Sequence, residues 1–298
     1  MSKYRLLIAL AHPDDESFGS GGLISKYVAE GVDVYLICAT DGDMGTIPED
    51  MKGQFDTVRE LRLAELECAS KKLGFRQVFT YGYKDSGMMG TESTNDPDCL
   101  WYQWNYTPES VTRRVVETIR EVRPHVVLTF NRYGGYGHPD HIAIQRATTE
   151  AFSLSADAGY VTQGFEPFVP QKLYYSSIPG RLLKLFLFVM KIRGQDVRRM
   201  GVNKDIDFQA IIDHIEPVHA VVDIVDYLDA WDEASSCHKS QGGGGGGFIG
   251  RFPMWLRRLI AGKQSFTRVY PVPNADRIDE MDLFTNIESD DMLTESAM

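Results

Sequence analysis

Residues 6–16 read LLIALAHPDDE, a stretch in which a strand pattern passes directly into a polar turn. The run at 6–11 is continuously apolar, which is typical of a central strand buried on both faces of a sheet. His12, Asp14 and Asp15 follow it at once. In open α/β sheets, ligands bind beyond the carboxyl ends of the strands. The stretch therefore predicts a buried parallel strand that delivers polar side chains to a site.

Strand-like and helix-like segments alternate outward from this stretch. Helix formers followed by Gly31 and Gly74 predict helices at 18–30 and 56–73, because glycine readily adopts the left-handed conformation that ends a helix. The remaining segments are helices at 108–122 and from the HPDH turn to about 153, and strands at 32–40, 77–81, 126–130 and 172–177. This alternation predicts an α/β fold with a mostly parallel central sheet covered by helices.

The pattern becomes less regular after residue 178. We therefore expect a catalytic core at 1–178 and a C-terminal extension at 179–298 that packs on it. The extension has signals for a helix near 181–193, a strand near 218–224 and a helix near 225–236. Six consecutive glycines at 242–247 predict a flexible loop. Residues 82–106 show no period and predict a long functional loop.

Composition excludes several classes of protein. The chain has 298 residues and a formal net charge of −11 at pH 7. A nucleic-acid partner needs a basic surface that displaces counterions, so we expect no nucleic acid. The four cysteines form no CxxC pair and no dense framework, so we expect reduced thiols. They are Cys38, Cys68, Cys99 and Cys237.

Targeting signals are weak. The apolar run at 6–11 is too short for the core of a signal peptide, which predicts a cytoplasmic location. The apolar stretch at 182–189 contains Lys184 and is far shorter than the roughly 20 residues of a spanning helix. Contact of residues 182–192 with a membrane surface stays open, as does assembly into a homo-oligomer.

Two segments carry residue types that bind metals, HPDDE at 12–16 and HPDH at 138–141, and each follows a predicted strand. A catalytic zinc site has three protein ligands, typically imidazole and carboxylate, and one position left for water. His12, Asp15 and His141 supply such a set. Iron as Fe2+ is an alternative to Zn2+, since these ligands suit several divalent ions. Four other histidines lack this context and are expected to be structural or surface residues: His125, His214, His219 and His238.

The residues beside the ligands suit amide hydrolysis. Asp14 and Asp15 leave the backbone in different directions, so one can bind the metal while the other acts as a base. The free carboxylate of Asp14 fits the base that an attacking water needs. The developing oxyanion and the leaving amine need donors, and His138 and Tyr136 are suited to these tasks. If His138 is protonated, activity should show a bell-shaped pH profile.

The motifs AHPDDE (11–16) and GHPDH (137–141) resemble those of the N-acetylglucosaminyl-phosphatidylinositol de-N-acetylase family, PIG-L, also called LmbE-like. Bacterial members include deacetylases of the mycothiol and bacillithiol pathways. The resemblance implies a Rossmann-like, three-layer fold and zinc-dependent removal of an N-acetyl or related acyl group from a glucosamine-type small molecule. It assigns the metal to His12, Asp15 and His141, the general base to Asp14, and oxyanion and leaving-group stabilisation to His138 and Tyr136.

Two further segments resemble the mycothiol-type enzymes. RLAEL at 62–66 resembles a helix in which an arginine faces the sugar, and YKDSGMMG at 83–90 resembles a Tyr-Arg-Asp-Ser-Gly-Met loop. The substrate contacts implied in this way are Arg62 and Asp85. Lys84 departs from the pattern, because these enzymes have arginine there. For Arg62, a surface salt bridge to Glu65 on the same helix face is the alternative.

Three other functions compete with the deacetylase. A thiol-conjugate amidase of the same family would use the same metal ligands and cleave a larger acyl group. A nucleotide-binding Rossmann oxidoreductase is suggested by GSGG at 19–22 and by Asp41, but its fingerprint needs a small residue where Ile24 stands. A noncatalytic sugar-binding protein is disfavoured, because every candidate catalytic position holds a competent residue.

Overall fold

The central sheet is built by seven strands in the described part of the chain. This computed structural model describes residues 4–178, 180–200, 206–243 and 253–289. The strands are β1 (Arg5–Leu10), β2 (Asp33–Thr40), β3 (Gln77–Tyr83), β4 (Val126–Thr129), β5 (Lys172–Ser177), β6 (Ala220–Asp223) and β7 (Lys263–Tyr270). Their order is β3-β2-β1-β4-β5-β7-β6, and β7 runs in the direction opposite to the other six described strands. The α/β fold with a mostly parallel sheet is confirmed.

The helices connect these strands in two packed groups. They are α1 (Asp15–Ala29), α2 (Val58–Leu73), α3 (Leu100–Tyr106), α4 (Pro108–Val122), α5 (Gly134–Gly137), α6 (Pro139–Leu154), α7 (Gly180–Ile192), α8 (Phe208–Asp213), α9 (Leu228–Ser235) and α10 (Met254–Ala261). Helices α1, α2 and α9 contact one another, and α3, α4 and α6 form the other group. Right-handed crossovers that run in opposite directions from the centre of a sheet place their helices on opposite faces. None of the described helices is long and apolar enough to span a membrane.

The strand order reverses between β1 and β4. From β1 the chain moves outward through β2 to β3, whereas β4 lies on the other side of β1 and leads to β5. Strand β1 is buried almost throughout, and Leu6 lies opposite Val34 of β2 and Val126 of β4. Ligands of open α/β sheets bind at such a reversal. The segments that follow β1 and β4 therefore meet at one crevice.

The irregular segments are more ordered than their sequence suggests. The stretch at 82–106, predicted as a long loop, includes the end of β3, a short 3-10 turn and α3. Trp101 and Trp104 of α3 pack against the main core, which explains why an aperiodic stretch is ordered. Strand β7 pairs with both β5 and β6, so part of the segment after residue 178 continues the sheet. The domain boundary at 178 stays a prediction, and residues 244–247 of the glycine run lie outside the described residues.

The expectation of four reduced cysteines is wrong for two of them. Cys68 on α2 and Cys237 after α9 form a disulfide across a sequence separation of 169. The pairing follows from the packing of α2 against α9, which sequence spacing cannot reveal. Cys38 and Cys99 are free and buried, as expected.

The glycines at 19–22 allow two helices to approach closely. A Cβ atom on Gly21 would lie 2.5 Å from Cδ1 of Trp231 in α9, and one on Gly22 would lie 2.5 Å from Cδ1 of Ile224. Asp41, the other residue behind the nucleotide-binding alternative, forms an ion pair with Arg59 at 2.7 Å. The features that suggested a nucleotide site thus have structural roles in helix packing and pairing.

Candidate metal centre

Two turns bring the predicted site residues together at the reversal between β1 and β4. His12 follows β1 by two residues, and Asp15 is the first residue of α1. His138 caps α6, Pro139 occupies the first helical position, where its missing N–H is not needed, and His141 lies in the first turn. The two turns thus place three imidazoles and a carboxylate in one buried cluster.

The side chains of His12, Asp15 and His141 form a triangle. Nδ1 of His12 and Nε2 of His141 are 3.0 Å apart. The two oxygens of Asp15 lie 3.5 Å from His12 Nδ1 and 3.4 Å from His141 Nε2. A tetrahedral ion with bonds of about 2.0–2.1 Å needs ligand atoms about 3.3 Å apart. Each of the three distances is therefore close to the spacing of neighbouring ligand atoms around a tetrahedral metal ion.

The hydrogen bonds of both histidines leave the nitrogens of this triangle free to bind. His141 Nδ1 lies 3.1 Å from the carbonyl oxygen of Gly134, which accepts its N–H. His12 Nε2 lies 3.3 Å from Oδ2 of Asp140. Asp140 is fully buried and also accepts from the backbone N–H of Ser86 at 2.8 Å. Partners of this kind fix the tautomer and orientation of metal-binding histidines, so the residues present fit a divalent ion.

His138 lies in the same cluster but has a different hydrogen-bond partner. Its ring atoms fall within 4.8 Å of those of His12 and His141, and a second group joins His12 and His138 with Asp85 and Asp140. However, His138 Nδ1 accepts the backbone N–H of Asp140 at 3.2 Å, and Asp85 Oδ1 accepts from Gly87 N at 2.8 Å. These atoms are thus already engaged, as is Oδ2 of Asp15, which accepts the backbone N–H of His12 at 2.7 Å, whereas Oδ1 of Asp15 lies 3.4 Å from His141 Nε2.

Burial sets the protonation state of His138. Desolvation, helped by His12 and His141, lowers the pKa of His138 to about 3. The ring is therefore neutral at pH 7, and its single N–H lies on Nε2 because Nδ1 accepts a hydrogen bond. The bell-shaped pH profile, which requires a protonated His138, stays a prediction. Burial also raises the pKa of Tyr136, which packs edge-on against His138 and His141 and keeps its hydroxyl proton.

Asp14 and Asp15 differ in environment as the sequence suggested. Asp14 has the backbone angles φ 141° and ψ −26°, which side-chain-bearing residues rarely adopt. Burial raises the pKa of Asp14 to about 7, although the Arg62 guanidinium acts in the opposite direction. Burial also opposes ionisation of Asp15, but His141 and His12 beside it bring the pKa of Asp15 below its usual value. One carboxylate is held charged, and its neighbour can exchange a proton near neutral pH.

Arg62 and Asp85 both lie at the site, with partners inside the protein. Nη2 of Arg62 contacts Oδ2 of Asp14 at 3.0 Å and the carbonyl oxygen of Pro13. The alternative salt bridge to Glu65 does not form, since Arg62 is only 4% exposed and Glu65 accepts from Ser240. Asp85 Oδ1 lies 3.6 Å from His12 Nε2. Their contacts with a substrate stay predictions.

Some residues of the site escaped the sequence analysis. Asp140 lies inside the HPDH motif, which could have identified it as a site residue. For Ser86, the sequence offers only its position beside Asp85 in the same loop. His238 was assigned a structural or surface role, yet Nε2 of His238 lies 2.6 Å from Oε1 of Glu16, and both residues are fully buried. No local pattern links positions 222 residues apart.

Comparisons with known proteins agree on family and fold. A model of the GlcNAc-PI de-N-acetylases, PIG-L, matches residues 7–152. The 1D-myo-inositol 2-acetamido-2-deoxy-alpha-D-glucopyranoside deacetylase of Thermomonospora curvata is 35% identical over 246 residues, or 80% of each chain. The enzyme of the same name from Rhodococcus jostii is 36% identical over 250 residues, 81% of this chain and 82% of the relative.

Two solved structures share the fold at lower identity. The N,N'-diacetylchitobiose deacetylase from Pyrococcus horikoshii has a TM-score of 0.58 at 20% identity, covering 89% of this chain and 83% of that chain. The 4-carboxy-2-hydroxymuconate hydratase GalB from Pseudomonas putida KT2440 has a TM-score of 0.59 at 16% identity, covering 93% and 100%. Because these proteins have different activities, the shared fold alone does not define the reaction.

Proposed function

The chain belongs to the GlcNAc-PI de-N-acetylase (PIG-L) family and is an enzyme that removes acetyl groups from amides, and we propose that its substrate is an N-acetylated, glucosamine-type conjugate. The relatives from Thermomonospora curvata and Rhodococcus jostii are named for a 2-acetamido sugar linked to inositol. The sequence similarity covers four-fifths of this chain, which supports the same class of substrate.

We propose a divalent metal ion, Zn2+, as the cofactor, held by His12, Asp15 and His141. The single observation that carries this assignment is the triangle of ligand atoms with edges of 3.0 to 3.5 Å. When bound, such an ion lowers the pKa of a water molecule and polarises the acetyl carbonyl. Fe2+ suits the same ligands, and elemental analysis of the purified enzyme separates the two.

The protein's own side chains divide the proton transfers. Asp14 is the general base that takes a proton from the attacking water, since its pKa of about 7 makes it a competent acceptor near neutral pH. It returns this proton to the amine nitrogen as the C–N bond breaks. His138 is neutral and can donate its Nε2–H to the carbonyl oxygen as negative charge develops there. The hydroxyl of Tyr136 is the second donor. Arg62 holds Asp14, while the contact of Asp85 with sugar hydroxyls rests on the family resemblance.

The proposed function is tested by measuring acetate released from an N-acetylglucosaminyl-inositol. We expect strong chelation to abolish release, added Zn2+ to restore it, and Asp14→Asn to remain inactive with full metal content. Chelation-resistant activity would refute the metal, and an active Asp14→Asn enzyme would refute the base. Faster cleavage of an N-acyl-cysteine conjugate than of the acetamide would instead favour the thiol-conjugate amidase. A cytoplasmic location stays a prediction.

A further inference from the structure

A buried carboxylate–imidazole pair lies behind the proposed metal centre. Glu16 is in the first turn of α1, and His238 follows α9 in the C-terminal part of the chain. Both side chains are fully buried, and Glu16 Oε1 accepts from His238 Nε2 at 2.6 Å. A buried carboxylate needs such a donor, because an unpaired one is strongly destabilising. Ser17 Oγ, on the same helix, also donates to Glu16 Oε1 at 2.6 Å, so His238 is the donor that reaches this carboxylate from outside α1.

The second oxygen of Glu16 reaches the proposed general base. Oε2 of Glu16 accepts the backbone N–H of Asp14 at 2.9 Å. Asp14 has a φ of 141°, and such a conformation persists only where the surrounding structure holds it. Arg62 holds the side chain of Asp14, and Glu16 holds its backbone. Cys237 is disulfide-linked to α2, which anchors the segment that supplies His238.

We propose that His238 and Glu16 are positioning residues that keep Asp14 in this backbone conformation, so that its carboxylate faces the metal centre. The inference rests on the proposed function, in which Asp14 is the base. The C-terminal part of the chain then completes the site without touching the substrate. Small displacements of a positioned base reduce turnover by up to about 100-fold.

The test compares three variants with the wild-type enzyme. His238→Leu fills the buried volume without an N–H, whereas His238→Gln retains an amide N–H that can reach Glu16. His214→Ala is the matched control, because His214 is an exposed histidine whose ring bonds to the carbonyl oxygen of Ala210 and stacks on Tyr133. We expect His238→Leu to lower kcat roughly 10- to 100-fold with unchanged KM and metal content, and His238→Gln to restore most of it.

Two outcomes would overturn the proposal. One is a folded, metal-loaded His238→Leu enzyme with wild-type kcat, and the other is a loss of activity that tracks lost metal and is not rescued by glutamine. If the leucine variant does not fold, His238→Asn replaces it, since its amide is one methylene too short to reach Glu16. An inactive Asp14→Asn beside a fully active His238→Leu refutes this inference alone, whereas an active Asp14→Asn refutes the proposed base.

An independent observation concerns the outer face of α7. Leu185, Phe188 and Ile192 are 60%, 62% and 70% exposed, and their spacing of three, four and seven residues places them on one side of the helix. Leu187, on the opposite side, is 2% exposed and anchors α7 to the protein. The helix thus presents an apolar face outward.

Basic residues flank this face. Lys184 and Lys191 are exposed and lie seven residues apart, so they share one side of the helix next to the apolar face. Arg193 follows the end of the helix. Residues 180–195 contain no aspartate or glutamate, although the chain has a net charge of −11. An apolar face bordered by cations is typical of helices that lie in the surface of an anionic membrane. A second copy of the chain would bring the lysines of both helices into one contact, which like charges oppose.

We propose that α7 docks on an anionic lipid surface. The test is co-sedimentation with vesicles of equal parts phosphatidylglycerol and phosphatidylcholine, or of phosphatidylcholine alone. We expect salt-sensitive binding to the anionic vesicles only, and at least tenfold weaker binding by Leu185→Glu/Phe188→Glu. Val161→Glu, at another exposed apolar position, should bind like wild type. Absence of binding, or a solution dimer that the double variant abolishes, would overturn the proposal.

Discussion

Arg62→Met should move the acidic limb of the pH–activity profile to higher pH. The substitution keeps an apolar side chain of similar length and removes the cation that contacts Asp14 Oδ2 at 3.0 Å. A general base must be deprotonated to act, so activity rises as pH rises through its pKa. Burial raises the pKa of Asp14 to about 7, and Arg62 opposes that rise. Loss of Arg62 therefore raises the pKa further.

The magnitude follows from the contact distance and from burial. An adjacent guanidinium lowers the pKa of a carboxyl by about 1 to 3, and Arg62 is only 4% exposed, so water screens the pair weakly. Half of Asp14 is deprotonated at pH 7 when its pKa is about 7. Without Arg62, the deprotonated fraction at pH 7 falls by a factor of roughly 5 to 500, and kcat/KM at pH 7 falls with it. Wild type and variant carry the same ion, so its charge cancels from the comparison.

The assay is kcat/KM for acetate release from about pH 5 to about pH 10, with metal content measured in parallel. Arg62→Lys is the matched control, because it keeps a positive charge near Asp14 and should preserve most of the acidic limb. Activity of Arg62→Met should recover at high pH. An unmoved limb in a fully metal-loaded Arg62→Met enzyme would refute the reasoning, because Arg62 would then not control the ionisation of Asp14.

Three further perturbations test other parts of the molecule. His141→Ala should lose the metal and all activity, and elemental analysis showing stoichiometric metal would contradict the proposed ligand set. Cys68→Ser should lower the free energy of unfolding by up to about 5 kcal/mol, read from denaturant titration, because the bond to Cys237 closes a loop across 169 positions; an unchanged midpoint would argue against the disulfide. Gly21→Ala should destabilise the fold by about 1–3 kcal/mol, since the added Cβ would lie 2.5 Å from an indole ring of α9. At Gly19 an added Cβ would meet nothing within 4 Å. Gly19→Ala should therefore raise the free energy of unfolding by about 0.5–1 kcal/mol through its helix propensity. Equal melting temperatures for these two glycine variants would contradict the close packing of α1 on α9.

The parts of the fold that are predictable from sequence are those with strong local patterns. The helix predicted at 108–122 and the strand predicted at 172–177 match α4 and β5 in the structure. Strand β7 and helix α10 were missed, because the sequence of β7 is mostly polar and α10 is only eight residues long, with several exposed apolar side chains. The aromatic segment of α3 was read as a loop, since its order comes from packing on the core.

The candidate site divides in the same way. The types of residue at the metal centre were predictable, because His12 and His141 each follow an apolar strand within a short polar turn. The ring nitrogens on the far side of each imidazole form hydrogen bonds with Gly134 and Asp140. These hydrogen bonds form only when the two turns come together in the folded protein. The neutral state of His138 also depends on burial, which a motif does not specify.

The sequence alone predicted the strand β1, the polar turns after β1 and β4, and residue types that bind metals at the ends of two strands of an α/β fold. These features depend on contacts and spacings within a few residues, which local chemistry dictates. The tertiary structure alone decided the pairs Arg62–Asp14, His238–Glu16 and Cys68–Cys237. Their partners lie 48, 222 and 169 positions apart, and they meet because helices α1, α2 and α9 pack against one another.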